Sequence, residues 1–161
     1  MSNSADNLAV YGTTFQTKVI TVLLKNKPFL SQIQDILEPT YFSSDATQWI
    51  VNTILQHFTQ YKAAPTLEVF KVKLDDVTSE TLKVTVVETL KDATKYLDAE
   101  DLVFVEDQVL DFCKNQKLKA AILECVNLLG SRKYDEMKTT IDTALKAGSD
   151  KNVGHNYETD L

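Results

Sequence analysis

Few side chains in this chain of 161 residues have the chemistry of a catalytic base, a nucleophile or a soft metal ligand. The candidates are two histidines, His57 and His155, and two cysteines, Cys113 and Cys125. His57 shares an apolar helix face with aromatic residues, which favours a packed histidine over a base or a ligand. His155 lies in a polar stretch, where exposure or a docking contact is expected. Cys113 with either histidine would make a nucleophile and its base, but nothing in the sequence orients such a pair.

Motifs for binding phosphate or metal ions are missing from the sequence. It contains neither GxxxxGKS or GxxxxGKT nor GxGxxG, the glycine-rich loops whose backbone N–H groups hold phosphates. It also lacks the ExxH pairs of di-iron helical bundles. Glu100, Asp101, Glu106, Asp107 and Asp111 have the spacing of the solvated side of a long helix. The chain is therefore predicted to carry no catalytic residues, no cofactor and no metal.

The overall charge argues against a nucleic-acid-binding domain. The chain has 17 Lys and Arg against 23 Asp and Glu, which gives a net charge of -6. Duplex binding relies on clustered Lys and Arg, so contact with DNA is expected to be weak or absent. No signal peptide is predicted in this sequence, and no apolar run in it approaches the roughly 20 residues that a membrane span needs. With two cysteines too far apart on one helix to form a disulfide, a cytoplasmic setting without membrane contact is the simplest interpretation.

The sparse Gly and Pro residues favour long helices over an all-β fold, and the apolar spacing predicts an all-α fold: a compact head of about five helices followed by a long helical hairpin. Helix one is predicted over Val10 to Lys25. The second helix follows Pro28 and ends before Pro39, and the fourth opens at Pro65. The apolar positions assigned to the second helix are Phe29, Ile33, Ile36 and Leu37. The third helix is predicted to receive capping side chains from Ser43, Ser44 and Asp45, and one of its faces consists of Trp49, Ile50, Thr53, Ile54, His57 and Tyr61.

Two segments allow alternative interpretations. Leu82, Val84 and Val86 alternate as in a strand, but Leu82, Val86, Leu90 and Ala93 continue at helical spacing for longer, which favours a fifth helix. The aromatic residues Trp49, Tyr41 and Phe42 have the chemistry to stack on nucleic-acid bases. Their position beside apolar residues favours a role in the core.

The hairpin is predicted from Asp98 to Ala147, with its turn near Gly130 and Ser131. On its first helix the residues predicted to share one stripe are Leu102, Val105, Val109, Phe112, Cys113, Ala120 and Leu123. Near Leu118 this helix becomes apolar on almost every side, whereas the second helix offers only a narrow apolar seam. We therefore expect the hairpin to meet another chain. The residues predicted to form contacts within and between hairpins are Leu118, Ile122, Cys125, Leu129, Met137, Ile141 and Leu145.

The sequence thus predicts a head over residues 1–97, a hairpin over 98–147 and the start of a linker over 148–161. The last segment has no apolar period, which suggests a tether to a further domain.

The order of these features resembles the amino-terminal domain of DnaB-type replicative DNA helicases, in the version found in T-even-like bacteriophages. The similarity is strongest in Leu37-Glu38-Pro39-Thr40-Tyr41-Phe42-Ser43-Ser44, before the helix with Trp49 and Ile50. It extends from Phe15-Gln16-Thr17-Lys18-Val19 through Tyr61-Lys62-Ala63-Ala64-Pro65-Thr66 to Phe112-Cys113-Lys114-Asn115-Gln116-Lys117-Leu118. A final match, Val153-Gly154-His155-Asn156-Tyr157, is similar to the start of the family's linker, where His155 and Tyr157 are expected to dock.

The resemblance implies a non-catalytic domain that assembles as a homo-oligomer, from a dimer up to a hexameric ring, and docks a primase or a helicase loader during DNA replication. It also implies a RecA-like ATPase domain beyond the tether, where ATP and Mg²⁺ would bind, and a host cytoplasm if a phage encodes the chain. The alternative is a stand-alone helical adaptor, a loader or regulator that binds a different protein through its hairpin.

Overall fold

In the computed structural model, residues 7–149 are described and form seven α-helices with no strand among them, which confirms the predicted all-α fold. A 3₁₀ turn over Leu8–Tyr11 precedes the first helix, and another, Pro39–Tyr41, lies between the second and third. The helices are α1 Thr13–Lys25, α2 Lys27–Ile33, α3 Asp45–Tyr61, α4 Leu67–Leu74, α5 Glu80–Lys95, α6 Leu102–Gly130 and α7 Tyr134–Lys146.

Hydroxyl caps start three of these helices. Ser44, Thr66 and Ser79 precede α3, α4 and α5, and each side-chain oxygen accepts a hydrogen bond from the backbone N–H three residues later. These bonds satisfy N–H groups that have no partner within the helix. At α3 the Thr47 hydroxyl also accepts from the backbone N–H of Ser44, which completes a capping box.

Two predicted helix boundaries are wrong. The first helix does not begin at Val10, because Gly12 has φ 90°, a left-handed value that interrupts the helix and separates the 3₁₀ turn from α1. The second helix ends at Ile33, so Ile36 and Leu37 lie beyond it. A turn follows, in which the Ile36 N–H donates to the Ile33 carbonyl at 3.0 Å, and both residues are nevertheless buried.

The described residues form two compact units, one comprising residues 7–31 and 37–109 and the other residues 32–36 and 110–149. In the first unit α1, α3 and α5 pack against one another. The fully buried apolar residues of these three helices are Val19, Ile20, Leu23, Ile50, Val51, Ile54 and Val86. Burial of such side chains is the main favourable contribution to folding, at about 1.5–3 kcal/mol each.

Polar contacts fix the positions of α5 and of the first turns of α6 in this unit. The Thr21 hydroxyl donates a buried hydrogen bond of 2.8 Å to the Ala93 carbonyl at the end of α5. Asn26, which follows α1, donates from Nδ2 to the Glu106 carboxylate at 2.9 Å. These bonds join segments that are far apart in the sequence. They fix the positions of α1, α5 and the start of α6 relative to one another within the unit.

The second unit combines residues 32–36 with the rest of α6 and with α7. Gln32 donates from Nε2 to the Gly148 carbonyl at 3.1 Å. Gly148 has φ 75°, and a Cβ atom at this position would clash with the Ile36 side chain. Gly148, the first residue of the predicted linker, is therefore buried in a place that only glycine fits. The prediction of separate domains divided near residue 97 concerns independent folding and stays a prediction.

None of the helices in the described part of the chain combines the length and the apolar character that a bilayer crossing requires.

Candidate assembly surface

The antiparallel pair of α6 and α7 is the candidate functional site. Its turn contains Arg132, whose φ of 57° reverses the chain, and the N–H of Lys133 donates to the Leu128 carbonyl at 3.1 Å. The Cys125 thiol lies 3.7 Å from the Met137 carbonyl oxygen, to which it donates. This contact sets the register of the two helices. The structure thus confirms the two helices that the sequence predicts and their turn near Gly130.

The predicted interface residues fall into two groups. Leu118, Cys125, Met137 and Ile141 are half-buried. The other three, Ile122, Leu129 and Leu145, are 52–61% exposed. The first group fits contacts within a single hairpin, and the second leaves apolar side chains in water. Whether another chain covers the second group stays a prediction.

Leu123 and Val126 extend the exposed group on α6, and each is 62% exposed. With Ile122 and Leu129 they have the spacing i, i+1, i+4 and i+7, so the four side chains form one continuous surface over two helical turns. We call these four residues the α6 patch. Sequence reasoning left Val126 out of the interface, although its spacing of four residues from Ile122 was a usable signal.

The predicted apolar stripe of α6 is wrong at Leu123 and Ala120. Both were expected on the same buried side as Leu102, but both are exposed. The buried residue of this part of α6 is Ala121, with Cys125 and Leu128 half-buried nearby. The pairing with α7 buries the side of α6 that is centred near Ala121. Residues about 100° or more away from Ala121 around the helix therefore remain in water.

Helix α7 has an apolar seam but contains no buried residue. Its polar side has an ion pair in which Lys138 Nζ lies 2.9 Å from Asp142 Oδ2. The hydrogen bond from Lys138 and the positive charge of Lys138 lower the pKa of Asp142, and the same contacts raise the pKa of Lys138. This solvated ion pair lies about 100° around α7 from the half-buried Met137 and Ile141, so the side that carries these two apolar residues is the one able to take further packing.

A groove of about 710 Å³ follows the α6–α7 pair, and small residues of both helices, such as Ala120, Thr140 and Ala144, line it. Small side chains leave the pair incompletely filled, and van der Waals contact is lost wherever a gap remains. The hairpin therefore has less internal packing than the first unit, whose three central helices bury most of their large apolar residues.

The residues with potential chemistry belong to two helices, His57 to α3 and Cys113 and Cys125 to α6. The ring of His57 packs on that of Tyr61, with centroids 4.6 Å apart, and neither Cys113 nor Cys125 forms a disulfide. Tyr61 is exposed and Phe58 takes the buried position, so the predicted α3 face is displaced around the helix. Tyr41 and Phe42 are buried and Trp49 lies beside Phe70, which supports their role in packing. Residues 7–149 contain no group of three His, Cys, Asp or Glu that could hold a metal ion.

The predicted linker-docking residues, His155 and Tyr157, lie outside the described residues.

Comparison with known proteins gives no relative from which a role for the α6 patch could be transferred. No protein-family description, no curated protein and no solved structure matches this chain.

Proposed function

We propose that this chain is a non-catalytic assembly and docking domain of a DnaB-type replicative DNA helicase. In this proposal the α6–α7 hairpin joins copies of the chain into a dimer or a larger ring, up to a hexamer. The assembled domain then docks a primase or a helicase loader, and nucleotide hydrolysis belongs to a separate ATPase domain with ATP and Mg²⁺.

The observation that carries the proposal is the contrast between α7 and the α6 patch. A 13-residue helix is marginally stable alone in water, so α7 depends on packing. It buries no residue completely, while four large apolar side chains of its partner helix remain more than half exposed. Soluble monomers rarely expose contiguous apolar surface of this kind, and such patches are typical of protein interfaces.

The helicase assignment depends on the sequence resemblance, in which a helical head and a hairpin occur in the same order. The acidic charge of the chain supports a role in binding protein rather than DNA, because phosphate contacts require clustered Lys and Arg. In this role the hairpin supplies the shared contact, and the head remains available to partner proteins.

Ile122→Asp tests the proposal directly. Ile122 is half exposed in a single chain, so the substitution should change the free energy of unfolding by only about 0.5 kcal/mol. In an assembled hairpin the same carboxylate would be buried without a partner, at a cost of several kcal/mol. We therefore expect dissociation to become about 100-fold easier or more, measured by sedimentation equilibrium over a range of protein concentrations.

Thr81→Asp is the control. It adds the same charge to an exposed position of a helix, but Thr81 belongs to α5 in the other compact unit and not to the hairpin. Its assembly should equal that of the parent chain. If the parent is a monomer at every concentration, or if Ile122→Asp assembles as well as the parent, the hairpin is not a self-association surface. The stand-alone adaptor that binds a different protein then becomes the better explanation.

A further inference from the structure

A second apolar surface, which we call the α4–α5 groove, lies in the first unit. Helix α4 lines it with Leu67, Phe70 and Lys71, and α5 with Val87, Leu90 and Lys91, so both helices use the spacing i, i+3, i+4. Phe70 and Leu90 are buried, whereas Leu67 at the rim is 61% exposed. The volume is about 260 Å³, below the roughly 300–1,000 Å³ typical of small-molecule sites. A few apolar side chains of a protein therefore suit this groove better than a small ligand.

Two lysines give the groove a positive charge. Lys71 and Lys91 are exposed and occupy equivalent positions on the two helices, and no acidic residue lines the groove with them. Within residues 7–149 neither ammonium group has an ion-pair partner. This charge is local, because the chain as a whole has a net charge of -6. The occupant should therefore combine apolar side chains with carboxylates.

The first turns of α6 carry a surface of this composition. Val103 and Phe104 are 68% and 58% exposed. Asp107 lies one turn further on the same side of the helix, and Glu100 precedes the helix in an adjoining turn. Neither carboxylate has an ion-pair partner among the residues that the structure describes. We call Glu100, Val103, Phe104 and Asp107 the α6 ridge.

We propose that the α4–α5 groove of one copy of this chain binds the α6 ridge of a second copy. Phe104 would cover Phe70 and Leu90 of the other copy, and Glu100 and Asp107 would approach Lys71 and Lys91. The two surfaces differ, so each contact leaves one groove and one ridge free. Such a head-to-tail contact repeats until it closes into a ring or extends as an open chain.

The contact is small, because it involves only a few residues on each side where a standard interface has about 20–30. It is therefore weak when two heads meet alone. It becomes effective when hairpins already hold the copies together and raise the local concentration, and in this respect the inference rests on the proposed function. Because exposed charges contribute, added salt weakens the contact.

Mixing two defective variants tests the head-to-tail geometry. Val87→Asp places a carboxylate in the groove and leaves the ridge intact, while Phe104→Asp removes the apolar anchor and leaves the groove intact. Both changes are made in the Ile122→Asp chain, so that hairpin contacts do not contribute, and sedimentation is measured at millimolar protein in low salt. We expect the Ile122→Asp chain to associate and each doubly substituted chain to be a monomer. The equal mixture should form a dimer, because one intact groove then meets one intact ridge.

Thr81→Asp in the same Ile122→Asp chain is the matched control, because it adds a charge to an exposed position on α5 outside the groove. It should associate like the Ile122→Asp chain. A second pair of exposed changes guards against misfolding: Lys91→Glu alone should abolish association, and Lys91→Glu with Asp107→Lys in one chain should restore it. Circular dichroism checks that each variant keeps its helices.

Three results would overturn the inference: a monomeric Ile122→Asp chain at every concentration, association that neither Val87→Asp nor Phe104→Asp reduces, or a mixture that stays monomeric. The first would leave the groove to a different acidic protein. A failure of the hairpin proposal gives a different result. Ile122→Asp would then have the same assembly mass as the parent chain, while the groove and ridge variants would still have a lower mass.

Discussion

Gln16 accepts two hydrogen bonds from Ser43, one at 2.9 Å from its backbone N–H and one at 3.1 Å from its hydroxyl. The Gln16 side chain is almost completely buried, and its Nε2 donates to the Gly12 carbonyl. One amide therefore joins the first turn of α1 to the segment that leads into α3. Because Ser44 caps α3 in the next position, Gln16 also helps to fix where that helix begins.

Gln16→Leu should destabilise the first unit. The leucine has a similar size but removes the three hydrogen bonds of the Gln16 amide, two with Ser43 and one with the Gly12 carbonyl, which together contribute about 1–3 kcal/mol. Ser43→Ala removes only the hydroxyl bond and should cost about 0.5–1.5 kcal/mol. Urea unfolding of the two variants and the parent measures both losses. Equal losses in the two variants would contradict this account, because they would mean that the bonds of Gln16 to the Ser43 N–H and to the Gly12 carbonyl together add nothing to stability.

The ion pair between Lys18 and Asp101 predicts a pH-dependent contribution to stability. Lys18 Nζ lies 2.8 Å from Asp101 Oδ2. The hydrogen bond from Lys18 and its positive charge lower the pKa of Asp101 below 3.8, with burial acting in the opposite direction. A carboxyl group whose pKa is lower in the folded state stabilises the fold above its unfolded pKa, and this contribution is lost as the pH falls through the folded pKa.

Asp101→Asn should therefore lower the free energy of unfolding at pH 7, and the difference from the parent should shrink as the pH falls below 3.8. Asp98→Asn makes the same change at an exposed carboxylate with no ion pair in the described part of the chain. Denaturant unfolding of the three chains at pH 7 and in acid compares them. A difference between Asp101→Asn and the parent that does not change with pH would mean that the substitution acts through packing.

The helices were predictable where local chemistry decides the structure. Helical spacing that continued beyond the short alternation of Leu82 and Val84 correctly favoured α5, and Val86, Leu90 and Ala93 are its buried residues. Of the three residues predicted to cap α3, Ser43, Ser44 and Asp45, it is Ser44 that accepts from the Thr47 N–H, and a cap is predictable because it acts on backbone groups only three residues away. The predicted first helix ran across Gly12, because a glycine residue is compatible with a helix as well as with a left-handed turn.

The side that each helix buries was less predictable. On α3 the structure buries Phe58 and exposes Tyr61, although the sequence favoured Tyr61 as the packed residue. The position of the neighbouring helices decides which side of α3 is buried, and the apolar pattern of α3 alone does not show it. The same limit applies to the assembly surface. On a segment apolar almost all round, spacing alone could not separate the buried Ala121 from the exposed Ile122 and Leu123.

The two cysteines provide a test of how well the second unit is packed. Cys113 is fully buried, whereas Cys125 is half-buried beside Met137. Thiol reagents react with accessible thiolates, so the native chain should be labelled at Cys125, and Cys113 should react only when the unit opens. Mass spectrometry after brief labelling should show one modified thiol in buffer and two in denaturant.

Cys125→Ser identifies the labelled position, because in buffer this variant should lose almost all of the fast labelling, while Cys113→Ser should keep it. Serine is close to cysteine in size, and the half-buried position of Cys125 leaves its hydroxyl access to water. Equal labelling rates for the two thiols in the native chain would contradict the structure. That result would mean that the second unit opens as readily at Cys113 as at Cys125.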